Sequence, residues 1–182
     1  MAVRRIIRMG HPALRTVASE LDRKTLRSDA IRRLVDDMVD TLHDYSGIGL
    51  AAPQVNESVR LAIVEIPAGP TRYGEIDPMP LEVYVNPRIS VIEADCRGFW
   101  EGCLSIPGLR GYVERPQHVR VDFQDLEGHR HSVELRGFTA TVFQHEFDHL
   151  DGKLYVDRVE DTKLLMFEEE FARYHAEEET LD

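Results

Sequence analysis

Two histidines stand four positions apart in QHEFDHLDG (144–152), with a glutamate directly after the first. On a helix four residues advance about 400°, so His145 and His149 project from one face about 6 Å apart. Two imidazoles so placed can bind one transition metal. Glu146 lies about 100° round the helix and can lean its carboxylate over the open side of that metal, where a general base for bound water belongs. With 8 histidines in 182 residues, a shuffled chain would contain H-E-x-x-H roughly 0.03 times. The pattern therefore favours a metal site over an ordinary polar stripe, but by itself it names no enzyme. Asp148 and Asp151 read as solvated helix-end residues, Asp148 with the further option of orienting a ligand histidine.

An open catalytic site needs a third ligand. His129 and His131 share a strand face beside a hairpin tip, which reads as wet surface, and His11, His43, His118 and His175 are scattered singles. Cys103 is the better candidate, because small and turn-forming neighbours in WEGCLSIPG let a thiolate reach out. It could also be a small buried core residue, although flanking Gly102 and Ser105 argue mildly against that. Cys96, in EADCRGF, has no such setting. Two cysteines make no disulfide framework and suit a reducing, cytoplasmic location.

Several elements must position these groups. A helix is expected from Ser28 as N-cap through SDAIRRLVDDMVDTLHDYSG, where Ile31, Leu34, Val35, Met38, Val39 and Leu42 recur at helical spacing. VRLAIVEI (59–66) and LEVYVNP (81–87) read as strands, separated by an irregular, proline-rich surface loop at 67–80. HVRVDFQDLEGHRHSVELRGF alternates as an antiparallel hairpin broken at DLEG. From Thr139 the period becomes helical, with Val142, Phe143, Phe147 and Leu150 as the apolar stripe and Gly152 as the stop. A last helix over about 161–176 is expected to bury Leu164, Leu165, Phe167, Phe171 and Tyr174. The sum is one catalytic domain over 1–182 of α+β class: antiparallel or mixed sheets around a central metal-binding helix, with an N-terminal and a C-terminal helix.

The net charge of −11 disfavours unspecific contact with nucleic-acid phosphates. No run of 18 apolar residues is present to span a membrane, and the opening apolar run is too short for a signal peptide.

Three stretches together, GIGLAAPQ (47–54), EGCLS (101–105) and QHEFDHLDG (144–152), resemble the signature segments of peptide deformylases, in the same order. IIRMGHPALRTVA is similar to that family's usual start, and the 67–80 loop is longer than in its compact members. H-E-x-x-H alone also fits zinc peptidases, whose third ligand is His or Glu. The resemblance implies removal of the formyl group from N-terminal formyl-methionine of nascent polypeptides. It implies Cys103, His145 and His149 as metal ligands with water in the fourth position, and Glu146 as proton carrier. The oxyanion would meet the Gln54 side-chain amide and the Leu104 backbone N–H. Ile48 and Gly49 would pair with the substrate main chain, although GIGLAA reads equally well as a glycine hinge. Phe138, Thr141 and Val142 would wall the methionine pocket with Phe99 and Leu104 opposite, unless they are plain core. Arg110 would contact the peptide further along, or stand exposed. Chemistry allows zinc, iron, nickel or cobalt; the resemblance implies Fe2+ in the cell, with Zn2+, Ni2+ or Co2+ as substitutes after purification. The implied partners are formyl-methionyl nascent chains, with the ribosome as a further candidate. The acidic runs at 168–170 and 177–179 read as a solvated end or a docking element.

Overall fold

In a computed structural model the described residues are 2–71, 74–75 and 78–175. Ser28 caps the first long helix as expected: its Oγ accepts the Ile31 N–H at 3.4 Å. That helix, α2 (Asp29–Asp44), follows a short α1 (Arg23–Leu26). Ile31, Leu34, Val35, Met38 and Leu42 are buried, packed with Leu50, Leu61, Ile63 and Val85 of the sheet. The apolar spacing thus dictates which face of α2 meets the strands.

The sheet is antiparallel throughout and runs β1 (Gly49–Ala51), β2 (Leu61–Ile66), β5 (Met79–Cys103), β6 (Ile106–Gln124), β7 (Arg130–Arg136). Two features exceed the sequence reading. The strand expected at 81–87 continues to Cys103, held by pairing with β6 from Val85↔Gln124 to Cys103↔Ile106 through several register shifts. Such irregularities bend a ribbon this long around a core. Within 67–80, a two-stranded ribbon of β3 (Pro70–Thr71) and β4 (Gly74–Glu75) stands where an irregular loop was expected.

The C-terminal expectation is corrected. Instead of one helix, a 3-10 turn (Thr162–Leu164) leads into β8 (Leu165–Phe167) and then α4 (Glu168–Tyr174). β8 pairs with β6 at Leu109↔Phe167 and Gly111↔Leu165, where an open edge of β6 needed backbone partners. Phe171 alone of the expected apolar stripe is fully buried, and Phe167 and Tyr174 are exposed. The acidic run 177–179 lies outside the described residues.

Helix α3 (Gly137–Leu150) packs against the sheet, touching β1, β2, β5, β6 and β7. Phe143, Phe147 and Leu150 sink into a core with Val64, Tyr84, Val119, Val121 and Leu135. Gly152, with φ +70°, ends it; a Cβ there would lie 2.8 Å from the Arg15 carbonyl carbon. The N-terminal segment is a strap across all three motif stretches. Ile7 N–H bonds the Gln54 carbonyl at 2.9 Å, Met9 N–H the Ser105 carbonyl at 2.8 Å, and Ala18 N–H the Leu150 carbonyl at 2.8 Å. Among the described residues no helix is long and apolar enough to cross a membrane.

Candidate metal centre

Three elements bring the chemistry together. The end of β5 carries Cys103, α3 carries His145 and His149, and a 3-10 turn after β1 (Ala52–Val55) carries Gln54. The sulfur and one nitrogen of each imidazole lie within 4.8 Å of one another, and Cys103 Sγ is 3.3 Å from His149 Nε2. The rings of His145 and His149 are 5.3 Å apart, as helical spacing requires. Burial pushes the Cys103 thiol up, but His149 and His145 outweigh it and hold it well below its ordinary range. Burial likewise opposes a charge on His145, yet Cys103 and Glu101 raise its pKa well above the usual imidazole value. A thiolate flanked by imidazoles is a soft, borderline donor set suited to a late divalent transition metal. It fits such an ion, and among the described residues it is the one cluster of three or more metal-capable side chains.

Glu146 completes the case. Its carboxylate is buried, and Oε2 has no hydrogen-bond partner. Burial raises its pKa, tempered by the nearby imidazoles. A buried carboxylate oxygen without a partner costs about 1–3 kcal/mol or more, so it marks a position kept for a ligand. Glu146 sits directly over Gly49, where a Cβ would come within 2.5 Å of its Oε1.

Behind the ligands stands a network that the sequence did not disclose. His145 Nδ1 meets Glu101 Oε2 at 2.8 Å, which leaves Nε2 for the centre. Arg115 donates to both Glu101 oxygens at 2.5 and 3.0 Å and to Asp148 Oδ2 at 2.8 Å; Arg158 donates to both oxygens of Asp148. Asp148 is therefore buried and doubly paired, not a solvated helix end. It orients no histidine directly but holds Arg115 against Glu101. Replacing Arg115 by Met should lower stability by about 3–5 kcal/mol, because two buried carboxylates lose their counter-charge; urea unfolding measures it. Glu101 was legible only as a letter of a motif, and nothing in the spacing of Arg115 linked it to the helix.

The cleft beside the ligands is lined by Ile48, Gly49, Gln54, Leu104, Phe138, Thr141 and Val142, together with Cys103, His145 and Glu146. Gln54 Oε1 accepts the Ala51 N–H at 2.8 Å, which turns Nε2 towards Ser105 Oγ (3.3 Å) and Cys103 Sγ (3.6 Å). Two expected residues stand elsewhere. Phe99 packs edge-on against Phe138 at 5.1 Å and lies behind the wall. Arg110 is neither exposed nor on the cleft. It is buried over the Phe171 ring, donating to the Trp100 carbonyl and to Glu168, because α4 closes over it.

The polypeptide deformylase family model matches residues 3–164. The chain belongs to the polypeptide deformylase family. A peptide deformylase of Leptospira biflexa is 39% identical over 170 residues, covering 93% of this chain and 95% of its own. One from Cellvibrio japonicus is 42% identical over 163 residues, 90% of each chain. Among solved structures, a class I type b peptide deformylase from Acinetobacter baumannii superposes with a TM-score of 0.82 at 36% identity, covering 87% of this chain and all of that one. The Thermotoga maritima peptide deformylase gives 0.77 at 33%, with 88% and 100% covered. The chain is thus a hydrolase that removes the formyl group from newly made polypeptides, and the zinc-peptidase alternative is not favoured.

Proposed function

We propose that Cys103, His145 and His149 hold one divalent cation, Fe2+ in the cell, and that Glu146 moves the proton in deformylation of formyl-methionyl chains. The observation that carries this reading is the buried, unpartnered Glu146 Oε2 beside three converging metal-capable donors. When bound, the cation supplies Lewis acidity and lowers the pKa of a water from about 15.7 towards 7.

The remaining work falls to this chain's own side chains. Glu146 takes a proton from the water that adds to the formyl carbon, and delivers it to the departing amide nitrogen, releasing formate and a free amine. As the carbonyl oxygen becomes negative, the Gln54 Nε2–H and the Leu104 backbone N–H donate to it. One such donor typically contributes about 3 kcal/mol to the transition state. Gln54 is held for this by the Ala51 bond, so little reorganisation remains. Ile48 and Gly49 lie at the terminal strand of the sheet, where an extended peptide can add as one more strand. Phe138, Thr141 and Val142 receive the methionine side chain. An Acinetobacter baumannii relative has been solved with Met-Ala-Ser bound, which has the composition of a deformylated product. Nascent chains as substrate support a cytoplasmic location, with the ribosome as a candidate partner.

The test is formate release. Protein loaded anaerobically with Fe2+ or Ni2+ should release formate from formyl-Met-Ala-Ser and leave Met-Ala-Ser intact. Cleavage of a peptide bond in either substrate would overturn the assignment.

A further inference from the structure

Besides Glu146, the cleft wall carries a second polar group whose hydrogen bonding is incomplete. Thr141 is buried to 2% exposure and lines the cleft between Phe138 and Val142. Its Oγ1 lies 3.3 Å from Gln117 Nε2, and the same Nε2 lies 2.7 Å from the Arg115 carbonyl oxygen. A carbonyl can only accept, so the atom facing it must be the amide nitrogen, and the side chain cannot be turned over. Nε2 therefore donates to Thr141 Oγ1 as well, and the hydroxyl is an acceptor in that contact. Gln117 Oε1 is buried without a partner, so the amide's own acceptor is not turned on Thr141 either. The hydroxyl proton of Thr141 finds no acceptor among the described residues, unlike Thr41, whose Oγ1 donates to the Asp37 carbonyl one turn back at 2.6 Å.

A buried donor left unused in a cleft whose apolar lining is Phe138, Val142, Ile48 and Leu104 is suited to one kind of guest. The guest is a largely apolar side chain with an acceptor part-way along it. Methionine has a weak acceptor there, the thioether sulfur, which also suits the Phe138 ring. Methionine sulfoxide has a strong one, the S=O oxygen, on a side chain of nearly the same length. We propose that Thr141 is a specificity-determining donor for the sulfur end of the first side chain, and that the enzyme also deformylates chains beginning with formyl-methionine sulfoxide. This rests on the deformylation reading above and deepens it. The reaction is the same hydrolysis: the amide C–N bond breaks, water supplies oxygen and proton, and the sulfoxide is carried through unchanged.

Three substrates decide it: formyl-Met-Ala-Ser, its methionine-sulfoxide form and its norleucine form, the last with no acceptor. With metal-loaded wild type, the sulfoxide peptide should be processed. Thr141→Val, which keeps the shape and deletes the donor, should lower the sulfoxide-to-norleucine ratio of kcat/KM about fivefold. Thr141→Ser, which keeps the donor, should restore the ratio. The same ratio read from calorimetric binding of the three deformylated tripeptides needs no turnover and should move in the same direction. A ratio unchanged within twofold between wild type and Thr141→Val, in both readouts, would overturn the proposal. Failure of wild type to release formate from formyl-Met-Ala-Ser would instead strike the assigned reaction, and tripeptide binding would still decide the role of Thr141.

Discussion

Glu146→Gln should bind metal as the wild type does and turn over about a hundredfold to ten-thousandfold more slowly. The substitution is isosteric and touches none of Cys103, His145 or His149, so the donor set stays whole. What it removes is basicity. Oε2 is buried without a partner and is therefore the atom free to receive a proton; an amide in its place cannot. Metal content per chain and single-turnover formate release, measured on one sample, separate the two effects. A variant with full metal and activity within tenfold of wild type would mean that the proton travels by another group.

Gly49→Ala is a smaller change with a comparable consequence. The new Cβ would lie 2.5, 2.6 and 2.7 Å from Oε1, Cδ and Cγ of Glu146, closer than real Cβ atoms come to anything. Glu146 is hemmed in on a packed helix, so its carboxylate must move by a sizeable fraction of an ångström. A misplacement of about 1 Å at a reacting group costs on the order of a hundredfold in rate. The expected signature is a fall in kcat with KM little altered and metal retained. Were Gly49 small chiefly to admit the peptide backbone, KM would rise instead and kcat would hold. The same residue thus answers two questions in one steady-state experiment.

The long helices were legible because their apolar residues repeat at the period of the structure that buries them. Ile31, Leu34 and Met38 on α2, and Phe143 and Phe147 on α3, could hardly face elsewhere. The C-terminal helix failed on the same logic. Leu165 and Phe167 have apolar side chains, but their backbones serve the open edge of β6, and a need arising 54 to 58 residues away leaves no local trace. Glu146 and the two histidines were readable as a spacing, and Cys103 as a thiol among small neighbours. The brace behind them was not, since Arg115 reaches Glu101 and Asp148 across two elements. Arg110 was misplaced for a related reason: its surroundings are made by Trp100 and Phe171, which meet only after folding.

The strap formed by residues 7 to 18 has a practical corollary. Three of its main-chain hydrogen bonds end on three different motif stretches, at Gln54, Ser105 and Leu150. Trimming the amino end past Met9 would therefore leave every ligand and the proton carrier in the polypeptide while cutting the stitches that hold two of their loops in register. A tag fused ahead of Ala2 leaves those stitches untouched. How much of the amino end is kept, and not a handle placed ahead of it, thus decides how well the reaction centre is aligned.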